Sequence, residues 1–117
     1  MPRVTGTTYK AIVSEVIILR RKELGLNQAD LAEKIGMSQS AWSRVEKGPS
    51  NLTVEQLTKV ASALEVAPNH IIAEADQAKI ALEHDGIQVA ETKSDATGWL
   101  LLGAAALALV ILTTKSK

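Results

Sequence analysis
An all-α fold is what this sequence predicts: five helices in an N-terminal domain, the fifth extended, then a linker and one C-terminal transmembrane helix. Three observations lead there. Apolar residues recur at helical spacings of three and four from Tyr9 to Leu82. Within that span, residues 27–48 read as two short helices joined by a tight glycine turn, the helix-turn-helix pattern. Beyond it, residues 96–114 carry no charge, and Trp99 to Leu112 is almost wholly Leu, Ala, Ile and Val.

Length and composition set the bounds. A chain of 117 residues accommodates one small domain with appendages. There is no cysteine, which excludes disulfides and thiolate metal sites, and His70 and His84 form no ligand cluster. The sequence offers no nucleophile–base pair, no phosphate-binding glycine loop and no metal-ligand spacing, so no catalytic residue, cofactor or metal is expected. The net charge of zero hides a gradient: residues 1–66 carry nine Lys/Arg against seven Asp/Glu, and residues 67–97 carry two against six. A field so weak leaves any nucleic-acid binding to the local placement of charge.

Residues 1–7, with Pro2 and Gly6, read as a flexible arm that lacks the apolar core of a secretory signal. The first helix is expected from about Thr8 to Leu24. Val13, Ile17 and Leu24 share one face, beside the aliphatic stems of Arg20 and Arg21. A second apolar stripe, Tyr9, Ile12, Val16 and Leu19, needs a cover from elsewhere in the chain or from a second copy.

Asn27 caps the next helix with Asp30 reaching back, and Leu31, Ala32 and Ile35 form its apolar face. Gly36 ends that helix and Ser38 caps the third, whose buried side is Met37, Trp42 and Val45. Gln39, Ser40, Ser43 and Arg44 point elsewhere, and Gly48 and Pro49 stop the helix. Thr53 and Gln56 make a capping box for the fourth, with Val54, Leu57, Val60, Ala61 and Leu64 on its buried side. Pro68 opens the fifth, which runs without a breaker to about His84. Its extra half is a candidate cover for the second stripe. Residues 85–97 are polar and poorly periodic, a linker.

The run Leu24-Gly25-Leu26-Asn27-Gln28-Ala29-Asp30-Leu31-Ala32, with Ser38-Gln39-Ser40 and Ser43-Arg44-Val45-Glu46-Lys47-Gly48, resembles the phage-repressor/Cro (XRE-type) helix-turn-helix family over roughly residues 10–73. The resemblance implies a five-helix repressor-like domain that binds double-stranded DNA with its third helix, about residues 38–46, in the major groove. It places Gln39, Ser40, Ser43 and Arg44 at base edges and Asn27, Gln28, Lys47 and Asn51 on phosphates. It pairs Arg21 with Glu46 and puts Trp42 in the core. So few base contacts per subunit imply a homodimer on two half-sites, with Tyr9, Ile12, Val16, Leu19 and residues 74–84 as the candidate interface.

The uncharged stretch of nineteen residues would span about 28 Å as a helix, close to a bilayer's ~30 Å hydrocarbon core. Residues 98–114 are therefore expected to cross the inner membrane once. Trp99 through Leu112 would meet lipid, Lys115 and Lys117 would lie in the far tail, and the N-terminal domain would stay in the cytoplasm. On this reading the chain is a membrane-tethered regulator. The alternative is a membrane-anchored adaptor whose helix-turn-helix domain holds a cytoskeletal or scaffold protein.

Overall fold
Strand β1 (Thr5–Thr8) leads directly into α1 (Tyr9–Glu23), which is followed by α2 (Gln28–Ile35), α3 (Gln39–Lys47), α4 (Val54–Ala63) and α5 (Pro68–His84). Then come β2 (Gln88–Ala90), a 3-10 turn (Ser94–Ala96), β3 (Leu100–Leu101) and α6 (Ala104–Lys115). This computed structural model describes residues 4–48, 50–92 and 94–115. Residues 1–3 of the expected arm, the Pro49 stop and Lys117 of the expected tail lie outside the described residues.

Helix ends follow from local chemistry. Thr8, Asn27, Ser38 and Thr53 each accept a hydrogen bond from an orphan backbone N–H of the helix they precede. Gly36, at φ 72°, closes α2 in the left-handed conformation, the state that glycine adopts at no steric cost. Val54 departs from expectation at 78% exposed. It stands at the first position of α4, where no other helix reaches over it.

One continuous core runs through the helices. Its first half packs Val13, Ile17, Leu31, Ile35, Trp42, Val45, Val60, Leu64 and Ile71. The second half is made by the stripe on the back of α1. Ile12 and Val16 are 0% and 1% exposed, enclosed with Ala75, Ala78 and Leu82 of α5 and Leu107 and Ile111 of α6. The expected homodimer interface through these α1 residues is thereby corrected: the chain's own α5 and α6 cover Ile12 and Val16. Tyr9 Oη donates to Asp76 Oδ1 at 2.6 Å and clips α1 to α5. At the other end Lys115 Nζ donates to Glu23 Oε1 at 2.9 Å and lies 3.8 Å from Glu74.

The expected transmembrane helix over residues 98–114, and with it the all-α fold with a membrane span, is overturned. No helix among the described residues is long and apolar enough to cross a membrane. Helix α6 has only 12 residues, about 18 Å of rise. The residues before it are held in extended form, because Leu100 N donates to Val4 O at 2.8 Å and Leu102 N to Gly6 O at 2.7 Å. Trp99 meets protein rather than lipid: a Cβ on Gly6 would fall 2.2 Å from its ring. The apolar run is apolar because one side of it, Leu107 and Ile111, fills the core between α1 and α5. The single-pass inner-membrane placement, the Trp99–Leu112 lipid contact and the anchor of the adaptor alternative fall together.

Residues 5–7, expected in an arm, and residues 88–90, expected in a linker, are strands. β1 lies in the middle of a three-stranded sheet of order β2-β1-β3, parallel to both neighbours. Gly6 pairs with Gln88 on one side and Leu101 on the other. Strands of two to four residues are too short to display a period of two, and their partners lie more than eighty residues away.

Two measurements test this architecture. Ile111→Ala is expected to cost about 2–5 kcal/mol in urea denaturation, the range for truncating a buried aliphatic side chain. A solvated or lipid-facing Ile111 would cost far less. The phenol of Tyr9 is pushed up from 10.0 to about 12, by burial first and then by its bond to Asp76 and that carboxylate's charge. Because the unfolded chain ionises first, stability should fall as pH rises from about 10 to about 12. Tyr9→Phe should remove that part of the alkaline dependence in denaturation curves.

Candidate nucleic-acid interface
The surface under test is built on α3, which packs against α2 and α1. Ser38 fixes its start, Ala41 N donating to Ser38 Oγ at 3.1 Å. Gly48, at φ 106°, turns the chain away at its end. On the inward side Trp42 is 0% exposed, and Val45 and Glu46 are buried with it. At the C-terminal end Lys10 Nζ and Ser14 Oγ donate to the Val45 carbonyl, satisfying one of the orphan acceptors of the last turn.

The Glu46 carboxylate joins three helices. Arg21 of α1 grips it with two bonds, Nε to Oε2 at 2.8 Å and Nη2 to Oε1 at 3.0 Å. Trp42 Nε1 donates to Oε2 at 2.6 Å from one turn earlier on α3, and Gln28 Nε2 donates to Oε1 at 2.9 Å from the first turn of α2. Arg21 also donates from Nη1 to the Leu26 carbonyl at 2.9 Å, holding the α1–α2 turn. The resemblance pointed to the Arg21–Glu46 pair. The Trp42 bond was missed, although its signal was available: residues four apart on a helix share a face. The Gln28 bond carried no such signal, since it spans two helices.

The remaining expected site residues fall into two groups. Gln39, Ser40 and Arg44 are exposed and Ser43 is half-buried, all on the outward side of α3. Ser40 Oγ lies 3.4 Å from Ser38 Oγ. Among the described residues, Gln39, Ser43 and Arg44 make no side-chain hydrogen bond or ion pair, so their polar groups remain available. Lys47 and Asn51 are likewise exposed without a side-chain partner among the described residues. Asn27 and Gln28 differ. Asn27 Oδ1 is taken by Asp30 N at 2.8 Å, and one Gln28 N–H is taken by Glu46. Each keeps an amide N–H for another acceptor, at the α2 N-terminus where the helix dipole favours an anion.

Glu15 was not singled out by the sequence. It lies on α1 near this hub and is only 7% exposed. Burial raises its carboxyl above the ordinary range, while Lys22 lowers it and Glu46 raises it.

A helix-turn-helix family profile matches residues 17–71. The chain is 34% identical over 55 residues to the cryptic phage CTXphi transcriptional repressor RstR of Vibrio cholerae serotype O1. That match covers 47% of this chain and 49% of the relative, so the chain spans about half that protein's length. A point mutant of a restriction-modification controller protein superposes with a TM-score of 0.57 at 34% identity, over 66% of this chain and 97% of that one. The clp gene regulator ClgR from Corynebacterium glutamicum has the same fold, with a TM-score of 0.60 at 23% identity, over 66% of this chain and 81% of that one.

If the carboxylate hub holds the three helices, Glu46→Ala strands a buried guanidinium and should cost about 3–5 kcal/mol in chemical denaturation. Arg44→Ala, on the outward side, should stay within about 0.5 kcal/mol of the parent. Equal losses for the two would refute this division of α3 into a structural and a free side.

Proposed function
This chain belongs to the XRE-type helix-turn-helix family, and on that premise we propose that it is a sequence-specific DNA-binding transcriptional regulator. One observation carries the reading. Gln39, Ser40, Ser43 and Arg44 face outward from α3 while Trp42, Val45 and Glu46 anchor the opposite side. A helix held in that way can enter the major groove with its N-terminal residues at base edges. Gln39 suits adenine, through its amide against N6 and N7, and Arg44 suits guanine O6 and N7. The two serines bond to neighbouring bases.

Lys47 and Asn51 on one side, and the α2 N-terminus with Asn27 and Gln28 on the other, hold the phosphates that set the register. In this role Gln28 is a bridge, with one N–H on Glu46 and the other on the phosphate. The relatives' printed descriptions, a transcriptional repressor and a controller protein, agree with a regulator.

Two or three bases per α3 give limited selectivity, which two copies on half-sites about 34 Å apart would supply. The exposed outer faces of α5 and α6 support such pairing. Ile80 is 67% exposed, Leu109 67% and Leu112 46%. The Lys115–Glu74 contact sets the antiparallel register of the two helices, so that Ile80 and Leu109 come level.

Selection of bound sequences from random duplexes, followed by salt-dependent titration of the full chain, tests all of this. An inverted repeat should emerge. Gln39→Ala should lose about 1–3 kcal/mol of discrimination at one base position of each half-site. Lys47→Ala should weaken every sequence alike and lower the salt slope by about one per subunit. Unchanged sequence preference in Gln39→Ala would refute the base-reading role. A single half-site bound as tightly as the repeat would refute the two-copy arrangement.

A further inference from the structure
Helix α3 ends on a carbonyl that its own backbone cannot satisfy. The Val45 carbonyl would ordinarily accept from the N–H four residues on, but residue 49 is proline, which has none. The neighbouring N–H groups do not serve it either, because Gly48 N and Ser50 N both donate to the Arg44 carbonyl, at 3.1 and 3.3 Å. Its donors come instead from α1. Lys10 Nζ donates to it, and Ser14 Oγ, one turn further along and only 7% exposed, lies 3.5 Å away. The ammonium is the stronger partner, since it brings a full charge to a helix C-terminus, where the dipole favours a cation.

This second grip stands apart from the Glu46 hub. Arg21 reaches Glu46 from the C-terminal end of α1, whereas Lys10 reaches Val45 from the first turn, about 16 Å of helix away. Two adjacent residues of α3 are thus drawn toward opposite ends of α1, one by its side chain and one by its main chain. A single anchor would leave α3 free to pivot about Glu46. A second anchor, displaced along α1, removes that freedom.

We propose that Lys10 is a positioning residue for base reading: its bond to the Val45 carbonyl fixes the tilt of α3, and with it the aim of Gln39 and Arg44. This role rests on the DNA-binding reading above, whereas the bond itself does not. Lys10 follows directly on β1, whose place in the sheet is set by β2 and β3, so the C-terminal appendage steadies the stem from which the lysine reaches. Lys10 also lines the same groove as Lys47 and Asn51, so a direct phosphate contact is the rival role. Salt dependence separates the two.

The test compares the full chain with Lys10→Met, which keeps the aliphatic stem and removes the charged donor. Without DNA, the carbonyl carbon chemical shift of Val45 reads the bond directly and should move upfield in this variant. Lys34→Met, exposed on α2, should leave that shift in place. With DNA, the ratio of affinity for the selected sequence to affinity for random duplex should fall at least about threefold, within the worth of one hydrogen bond to a charged group. The salt slope should stay that of the parent, because no phosphate contact is lost. Lys10→Arg, which restores a cationic donor, should recover both the shift and the ratio. Uniform weakening of all sequences, with a salt slope lower by about one, would make Lys10 a phosphate ligand and overturn the proposal. So would an unmoved Val45 shift, or an unchanged ratio in a variant whose shift has moved. A parent chain that selects no sequence would sink the DNA-binding reading and this role with it, while the carbonyl shift would still report the bond.

Discussion
A single buried carboxylate sets the geometry on which the outward side of α3 depends. Glu46 accepts from a guanidinium on α1, an indole on its own helix and an amide on α2, so the three helices are fixed at one point rather than merely pressed together. Dispersion and the hydrophobic effect are non-directional and would allow α3 to rotate about its axis by a fraction of a turn. Short charge-assisted bonds are directional and do not. Such a group, taken out of water, stabilises little on balance, and its contribution is orientation. The face carrying Gln39, Ser43 and Arg44 points outward because the opposite face is tied down at Glu46.

The second constraint is the exposed back of α1, which a small helical domain cannot leave bare. The chain covers it with the distal half of α5 and the whole of α6, and brings α6 back by strand pairing. β1 receives β2 and β3 in parallel register, which requires long crossovers and makes the appendage inseparable from the helical domain. Gly6 is where this closure is tightest, since the Trp99 ring occupies the space a side chain would need. The same arrangement leaves α6 apolar on both sides, Leu107 and Ile111 inward, Leu109 and Leu112 outward.

Periodicity and capping chemistry made residues 9–84 legible in order. Asn27, Ser38, Thr53 and Pro68 mark helix starts, and Gly36 and Gly48 mark ends, for reasons internal to a few neighbouring residues. The outward set on α3 could be named from the same pattern, because whatever is not on the apolar stripe faces away. The hub was partly legible: Arg21 and Glu46 through the family resemblance, Trp42 only through its spacing of four from Glu46, and Gln28 not at all. The burial of Glu15 was invisible, since a Glu in an α1 turn looks like any solvated one until the rest of the chain packs around it.

The error over residues 98–114 has a clear physical origin. Hydropathy records that a segment avoids water and is silent on whether lipid or protein receives it. A run long enough to span a bilayer as one helix was instead divided into a turn at Gly98, a two-residue strand and a 12-residue helix. By itself, then, the sequence determined the five helices, their caps and the free side of α3, since those depend on contacts within a turn or two. Tertiary structure alone decided that the apolar tail joins α5 over α1 and which acid is buried. Those outcomes depend on segments some ninety residues apart meeting, and no local pattern encodes the meeting.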